Sequence, residues 1–257
     1  MSMLRQHTGK KKHANMLRHV FFDLDKTLTV SRTPLSSEHQ DLFEKLCAEK
    51  DVVVVTGGSA EQIREQITPR FDGKYYMLAQ SGNHCVDKNG DVPWNEALNE
   101  TQIQAVFSFI ELLKKDFAIP VKDSEDLTEN RGAQITYSVL GFHEDNDKKY
   151  AFDPGDTKRR SALKTRSAEV ENLKKSGVAV EPAGTTSFNF FLAGRHKGFN
   201  IERFLKLKSW EKDDCLYVGD ALFPGGNDES VVGVIPTHPV KDPDETFDFI
   251  RNSLLSS

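Results

Sequence analysis

Short apolar runs that end in polar, glycine-rich turns recur along the chain: His19-Val20-Phe21-Phe22, Asp51-Val52-Val53-Val54-Val55, Tyr75-Tyr76-Met77-Leu78-Ala79 and Asp214-Cys215-Leu216-Tyr217-Val218. Runs of β-branched and aromatic residues this short fit strands covered on both faces, as in a parallel sheet. Leu35 followed by Ser36-Ser37, with Gln40 three residues after Ser37, predicts a capped helix to about Lys50 and hence a βαβ unit. Ser59 with Gln62 predicts a second capping box, opening a helix that carries Ile63 and Ile67. After the turn Ser81-Gly82-Asn83 the pattern changes. Thr101 to Phe117 puts Ile103, Val106, Phe107, Ile110 and Leu113 on one helical face, and Gly132 to Gly141 alternates as a half-exposed strand with Ile135, Tyr137 and Val139 on one side. Asp156 to Ser176 reads as one long polar helix with Lys158, Arg159 and Arg160 on its solvated face, and strands follow near Val178–Glu181 and Ser187–Phe191. These patterns predict an α/β parallel-sheet core over 17–84 and 192–257, an inserted α+β domain over 85–191, and a polar basic tail over 1–16.

Composition narrows the function. A chain of 257 residues buries a large core, and a formal net charge of −5 argues against a general nucleic-acid binder. Lys10-Lys11-Lys12 with Arg5 and Arg18 is a local basic exception that reads first as a solvated extension and second as a targeting or anchoring patch. No apolar stretch fits a signal peptide or a membrane span. Cys47, Cys85 and Cys215 cannot pair completely and read as reduced, buried thiols of a cytoplasmic protein.

Chemistry collects where the apolar runs end. Asp23-Leu24-Asp25-Lys26-Thr27 follows the first run, and in an extended chain Asp23 and Asp25 project to the same side, so one carboxylate can attack or bind a metal while the other handles a proton. Thr56-Gly57-Gly58-Ser59 follows the second run and makes an anion cradle at a helix N-terminus, with a hydroxyl and two close-approaching backbone positions. Gly219-Asp220 follows the fourth and leads through Phe223-Pro224-Gly225-Gly226 to Asn227-Asp228, a loop that returns a second acid toward the first. Neither a Gly-x-Gly-x-x-Gly nor a Walker-type loop occurs.

In order and type these motifs, with Lys197-Gly198 as a fourth, resemble those of the haloacid-dehalogenase superfamily, over nearly the whole chain from about residue 17. The long middle insert resembles cap subclass IIB, with its sugar-phosphate phosphatase and phosphomannomutase-like members. Lys26 stands where many members carry glycine. The resemblance implies a Rossmann-like core with an inserted cap, and an aspartyl-phosphate formed on Asp23 with Asp25 as acid and base. It further implies Mg2+ held by Asp23, the Asp25 carbonyl and Asp220, with Asn227 and Asp228 shaping that shell. Thr56, Gly57 and Gly58 would hold phosphoryl oxygens, Lys197 would oppose the charge built in transfer, and Thr27 would support the turn. In the cap, Arg131, Ser187 and Asn189 would meet the substrate. Asn189 stands where the mutases have aspartate, and Phe142 where a second phosphate-binding arginine aligns. The expected activity is Mg2+-dependent hydrolysis of a sugar phosphate or similar small phosphomonoester, with a phosphomannomutase-type isomerase as the alternative and a phosphoacceptor module without turnover as the third reading. Asp25 and the large insert argue against that third reading, because a signalling acceptor gains nothing from an adjacent acid/base.

Overall fold

The computed structural model describes residues 17–255, so Arg5 and Lys10-Lys11-Lys12 lie outside the described residues. The described chain divides into two compact units, 17–95 with 196–255, and Glu96–Arg195. In chain order the first unit opens with β1 (His19–Phe22), α1 (Ser37–Glu49), β2 (Asp51–Val55), α2 (Ala60–Ile67), β3 (Tyr76–Ala79), β4 (His84–Val86) and β5 (Trp94–Asn95). The second unit holds α3 (Glu100–Phe117), β6 (Thr128–Asn130), β7 (Gln134–Ser138), α4 (Asn146–Phe152), α5 (Thr157–Thr165), α6 (Ser167–Lys175), β8 (Val178–Ala183) and β9 (Ser187–Leu192). The first unit resumes with α7 (Lys197–Lys208), β10 (Cys215–Gly219), β11 (Thr237–Pro239) and α8 (Pro243–Phe249).

One sheet of order β11-β10-β1-β2-β3-β4-β5 organises the first unit. Its strands from β11 to β3 are parallel. The chain leaves β1 toward β2 and β3, then returns on the other side of β1 as β10 and β11. The strand order therefore reverses at β1, and ligands of open α/β sheets collect outside the strand ends at such a point. Pleating sends Phe22, Val52 and Val54 into one apolar layer with Phe43, Ile63 and Ile67, and Phe21, Val53 and Tyr217 into the other with Ile201 and Phe204.

Residues 85–95, expected in the insert, belong instead to this first unit. Gln80, Ser81 and Gly82 all have positive φ (52°, 58° and 87°) and reverse the chain so that β4 pairs antiparallel with β3 and β5 with β4. Trp94 Nε1 then donates to the Gly82 carbonyl at 2.8 Å. The predicted box at Ser37 and Gln40 does not form, because Ser36 occupies the N-cap and the Gln40 amide donates back to the Leu35 carbonyl.

The second unit has an antiparallel sheet of order β6-β7-β9-β8. Ile135, Tyr137, Phe188, Phe190 and Val178 pack on Val106, Ile110, Leu113 and Leu173 from its helices. A reciprocal capping box of Asn99 and Gln102 starts α3. Two expectations fail here. The long polar helix is two helices separated at Arg166 (φ −94°, ψ 27°), preceded by the short α4. Strand β7 is buried along its whole length rather than half-exposed, its polar members tied by Gln134–Thr136 and Ser138–Thr186 hydrogen bonds.

Arg159 is the sharpest departure. Read from sequence as solvated, it is fully buried, and all five of its guanidinium N–H groups are used. Nε donates to Asp153 at 2.9 Å, and the two terminal nitrogens bond Asp156 and the carbonyls of Ala183, Gly184 and Ser187. Burial works against the Asp153 carboxylate, but the amides of Lys158 and Arg159 and this guanidinium hold it below the usual range. A charge with three planar edges satisfied replaces the water that a surface arginine would use.

All three cysteines are free thiols; Cys85 and Cys215 are buried and Cys47 half-buried. Burial pushes each up to about 12. No described helix is long and apolar enough to cross a membrane.

Candidate active site

The strand β1 stops at Phe22, and Asp23 begins a turn whose amide still bonds the Val218 carbonyl of β10 at 3.0 Å. The amides of Leu28 and Thr29 both bond the Leu24 carbonyl, closing the turn. Lys26 within it has φ 63°, the left-handed region where glycine is unstrained. Thr27 is buried and its hydroxyl accepts from the Asp220 amide at 3.1 Å, tying the first motif to the last.

The turn gives the two acids different hydrogen-bond partners. Asp23 is buried and bonded to Lys197 Nζ at 2.6 Å. Asp25 is half-buried and faces neutral donors: the Arg32 amide at 2.8 Å, Gln66 Nε2 at 3.1 Å and Gln62 Nε2 at 3.4 Å. Gln66 in turn donates to Thr29 Oγ1 at 2.7 Å and accepts from Gln62 at 2.8 Å. Both glutamines lie on α2, one turn apart. Here Ser59 caps the Gln62 amide as predicted, but the Gln62 side chain turns to Asp25 instead of closing the box.

Lys197 starts α7, which can come close because Gly198 has no side chain: a Cβ there would lie 1.9 Å from the Ser230 carbonyl oxygen. Its ammonium is buried between Asp23 and Asp228, 2.7 Å from the latter. Asp228 Oδ1 also accepts from the buried Tyr217 hydroxyl at 2.7 Å. Gly219 gives Asp228 its room, since a Cβ would sit 2.4 Å from Oδ2. Asp23, Asp220 and Asp228 bring carboxylate oxygens within 4.8 Å of one another. Asn227, by contrast, is exposed at the end of the loop.

Electrostatics follow from this crowding. Burial pushes Asp23 up to about 7; Lys197 opposes that rise and the neighbouring Asp228 and Asp220 add to it. Burial and Asp228 raise Asp220, with Lys26 acting the other way. Burial lowers Lys197, but Asp23 and Asp228 outweigh it and raise its pKa overall. Burial and the same two acids hold the Tyr217 phenol protonated. Three carboxyl groups gather around one ammonium, and oxygen donors this close fit a small divalent cation.

The cradle forms on the neighbouring strand end. Thr56 is buried, its hydroxyl accepts from the Gly58 amide at 3.2 Å, and its carbonyl accepts from Ser81 at 2.7 Å. A Cβ on Gly58 would collide with the Gln62 side chain at 2.3 Å, whereas one on Gly57 would meet only Ser81 Oγ at 4.0 Å.

Arg131, Ser187 and Asn189 lie in the second unit. Register puts Glu129, Thr136, Asn189 and Glu181 in one row across its sheet, with Ser138 and Ser187 in the next row on the same face. Arg131 is paired with Glu129 at 2.6 Å, and Asn189 accepts from Thr136 at 3.0 Å. Burial raises Glu181, weakly opposed by Arg160. Phe142 is half-buried with its amide on the Asp126 carbonyl.

Tyr217, Gln62 and Gln66 were not anticipated. Tyr217 lies inside an apolar run, where nothing local marks its hydroxyl as polar in use. The glutamines carried a signal in their spacing of four on a helix that starts at the cradle.

A parallel sheet with acids beyond the ends of β1 and β10, an ammonium among them, a Thr-Gly-Gly turn at the end of β2 and an inserted α+β unit defines a haloacid-dehalogenase superfamily protein. Solved structures of that fold agree: Plasmodium falciparum IMP-nucleotidase has a TM-score of 0.67 at 15% identity over 95% of this chain and 70% of its own. A haloacid dehalogenase-like hydrolase from Bacteroides thetaiotaomicron has 0.63 at 13%, over 91% and 98%. The eukaryotic phosphomannomutase family model matches residues 39–256, and the chain belongs to that family. Similar proteins include phosphomannomutase 2 of Dictyostelium discoideum, 25% identical over 90% of this chain and 94% of its own, and phosphomannomutase of Schizosaccharomyces pombe, 26% over 88% and 90%. The chain is therefore an enzyme of haloacid-dehalogenase, phosphomannomutase type.

Proposed function

We propose that this enzyme is a Mg2+-dependent phosphatase of a sugar phosphate, working through an aspartyl-phosphate on Asp23. The phosphoryl group would lie on Thr56 and the Gly57 amide at the start of α2, where backbone donors favour an anion. Asp23 attacks phosphorus in line, the bond to the leaving oxygen breaks, and Asp25 gives that oxygen a proton. Asp25 then removes a proton from water, which attacks the phosphoenzyme and frees inorganic phosphate. Asp25 is held in place by neutral donors, the Arg32 amide and the Gln62 and Gln66 side chains. Lys197 stabilises charge on the transferring group from beside Asp23. Asp23, Asp220 and Asp228 would hold the Mg2+, which when bound would supply the charge that lets a carboxylate meet a phosphate dianion.

The polar sheet face of the second unit carries the choice of acceptor. Arg131, Ser187 and Asn189 would meet the sugar there, but the guanidinium is already neutralised by Glu129 and Glu181 adds a second carboxylate. Such a face suits hydroxyls, and its Arg131 is already paired with an acid, which favours water rather than a phosphorylated sugar as the acceptor from Asp23. Family membership favours a second reading, a phosphomannomutase-type isomerase with the same Asp23 chemistry and a sugar hydroxyl as acceptor. A screen of hexose phosphates for phosphate release tests the proposal. Release should stop with EDTA, return with Mg2+, and need more Mg2+ in Asp220→Ala; turnover in excess chelator, or no release from any hexose phosphate, would refute it.

A further inference from the structure

Asp228 Oδ1 receives two strong donors from different elements, Lys197 Nζ and the Tyr217 hydroxyl, each at 2.7 Å. Lys197 also lies 3.4 Å from the Tyr217 oxygen. An ammonium only donates, so the phenol accepts from Lys197 and donates to Asp228, and the direction of this triangle is fixed. The second oxygen, Oδ2, has only a long contact of 3.4 Å from the Ala221 amide. Packing holds the arrangement: a Cβ on Gly219 would come within 2.8 Å of the Tyr217 ring and 2.4 Å of Oδ2. The ring itself lies in an apolar layer with Phe21, Ile201 and Phe204, which phenylalanine would fill equally well. The hydroxyl is therefore spent on the site, not on the core.

We propose that Tyr217 is a positioning residue: its hydroxyl occupies Oδ1 of Asp228, presents Oδ2 to the divalent cation and keeps Lys197 aimed at Asp23. This rests on the cation role given above to Asp23, Asp220 and Asp228. Groups that orient metal ligands typically carry about 10–100-fold of the metal affinity. Calorimetric titration of Mg2+ into the full-length wild type, Tyr217→Phe and Tyr217→Met tests it without turnover. Both variants should bind Mg2+ at least about tenfold more weakly, with melting temperatures near that of the wild type. At saturating Mg2+ they should recover their substrate KM, while the Mg2+ needed for half-maximal rate stays raised. A wild type that binds no Mg2+ would remove the cation site itself. A wild type that binds, with either variant matching its affinity, would overturn the role of Tyr217 alone.

Discussion

Asp23, Lys197, Tyr217 and Asp228 are buried ionisable groups that partly offset one another's desolvation, whereas the polar sheet face of the second unit is mostly hydroxyls and amides joined in pairs. The first arrangement concentrates charge: three carboxylates and one ammonium, with Asp23 pushed up to about 7. The second dilutes it, with Arg131 paired locally to Glu129. Breaking phosphorus–oxygen bonds needs poised charge in a dry place. Holding a sugar needs direction without charge. The two regions therefore respond differently to substitution.

The largest effect falls on the charged site. Asp23→Asn keeps the side-chain volume and removes the nucleophile, so hydrolysis of any identified substrate should drop to background in a protein that still folds. Retention of more than a few per cent would contradict the role. Asp25→Asn should lose about 10²–10⁴-fold on a sugar phosphate, and much less on p-nitrophenyl phosphate, whose leaving group needs no proton. Equal losses on both would remove Asp25 as the acid.

A change in the second unit should act on stability instead. Arg159→Met leaves Asp153 buried without its guanidinium, which costs about 3–5 kcal/mol for a broken buried pair. Urea denaturation should show this as a lower midpoint, and any full-length enzyme that remains folded should keep its Mg2+ requirement. A midpoint like the wild type's would mean that water or another cation replaces Arg159.

The smallest effect is a pH slope. The folded pKa of Asp23, about 7, lies above its ordinary value of 3.8, so the metal-free protein binds more protons folded than unfolded between those values. Its stability should fall as pH rises through that window, and the contribution is lost above about 7. Urea midpoints in EDTA at pH 5 and 7.5 should show a steeper fall for the wild type than for Asp23→Asn. Parallel slopes would place the ionised carboxylate in a better solvated setting.

The contrast also explains what could be read from the chain. Asp228 announces itself because the Pro-Gly-Gly turn brings a second acid back toward Asp220, and Asp23 and Asp220 because acids just after apolar runs have few other uses. Thr56-Gly57-Gly58 was legible for the same reason. The different partners of Asp25 were not, because they depend on where the strand stops and on the left-handed turn at Lys26. Arg159 was misread because one-dimensional polarity cannot show that Asp153, Asp156 and three carbonyls close around it. The end of the first unit at residue 95 depended on a hairpin built on three consecutive left-handed residues, two of them not glycine. Tyr217 was hidden by its neighbours, since a tyrosine in an apolar strand usually serves packing.

What most directly tests the link between these two regions is the fate of the phosphoryl group on Asp23. Purified enzyme is given mannose 1-phosphate, Mg2+ and glucose 1,6-bisphosphate, and inorganic phosphate and mannose 6-phosphate are followed together. A polar face whose Arg131 is paired with Glu129 predicts that phosphate release outpaces mannose 6-phosphate formation. Efficient isomerisation with little phosphate release would contradict it, and would mean that the second unit holds a bisphosphate despite the Arg131–Glu129 pair.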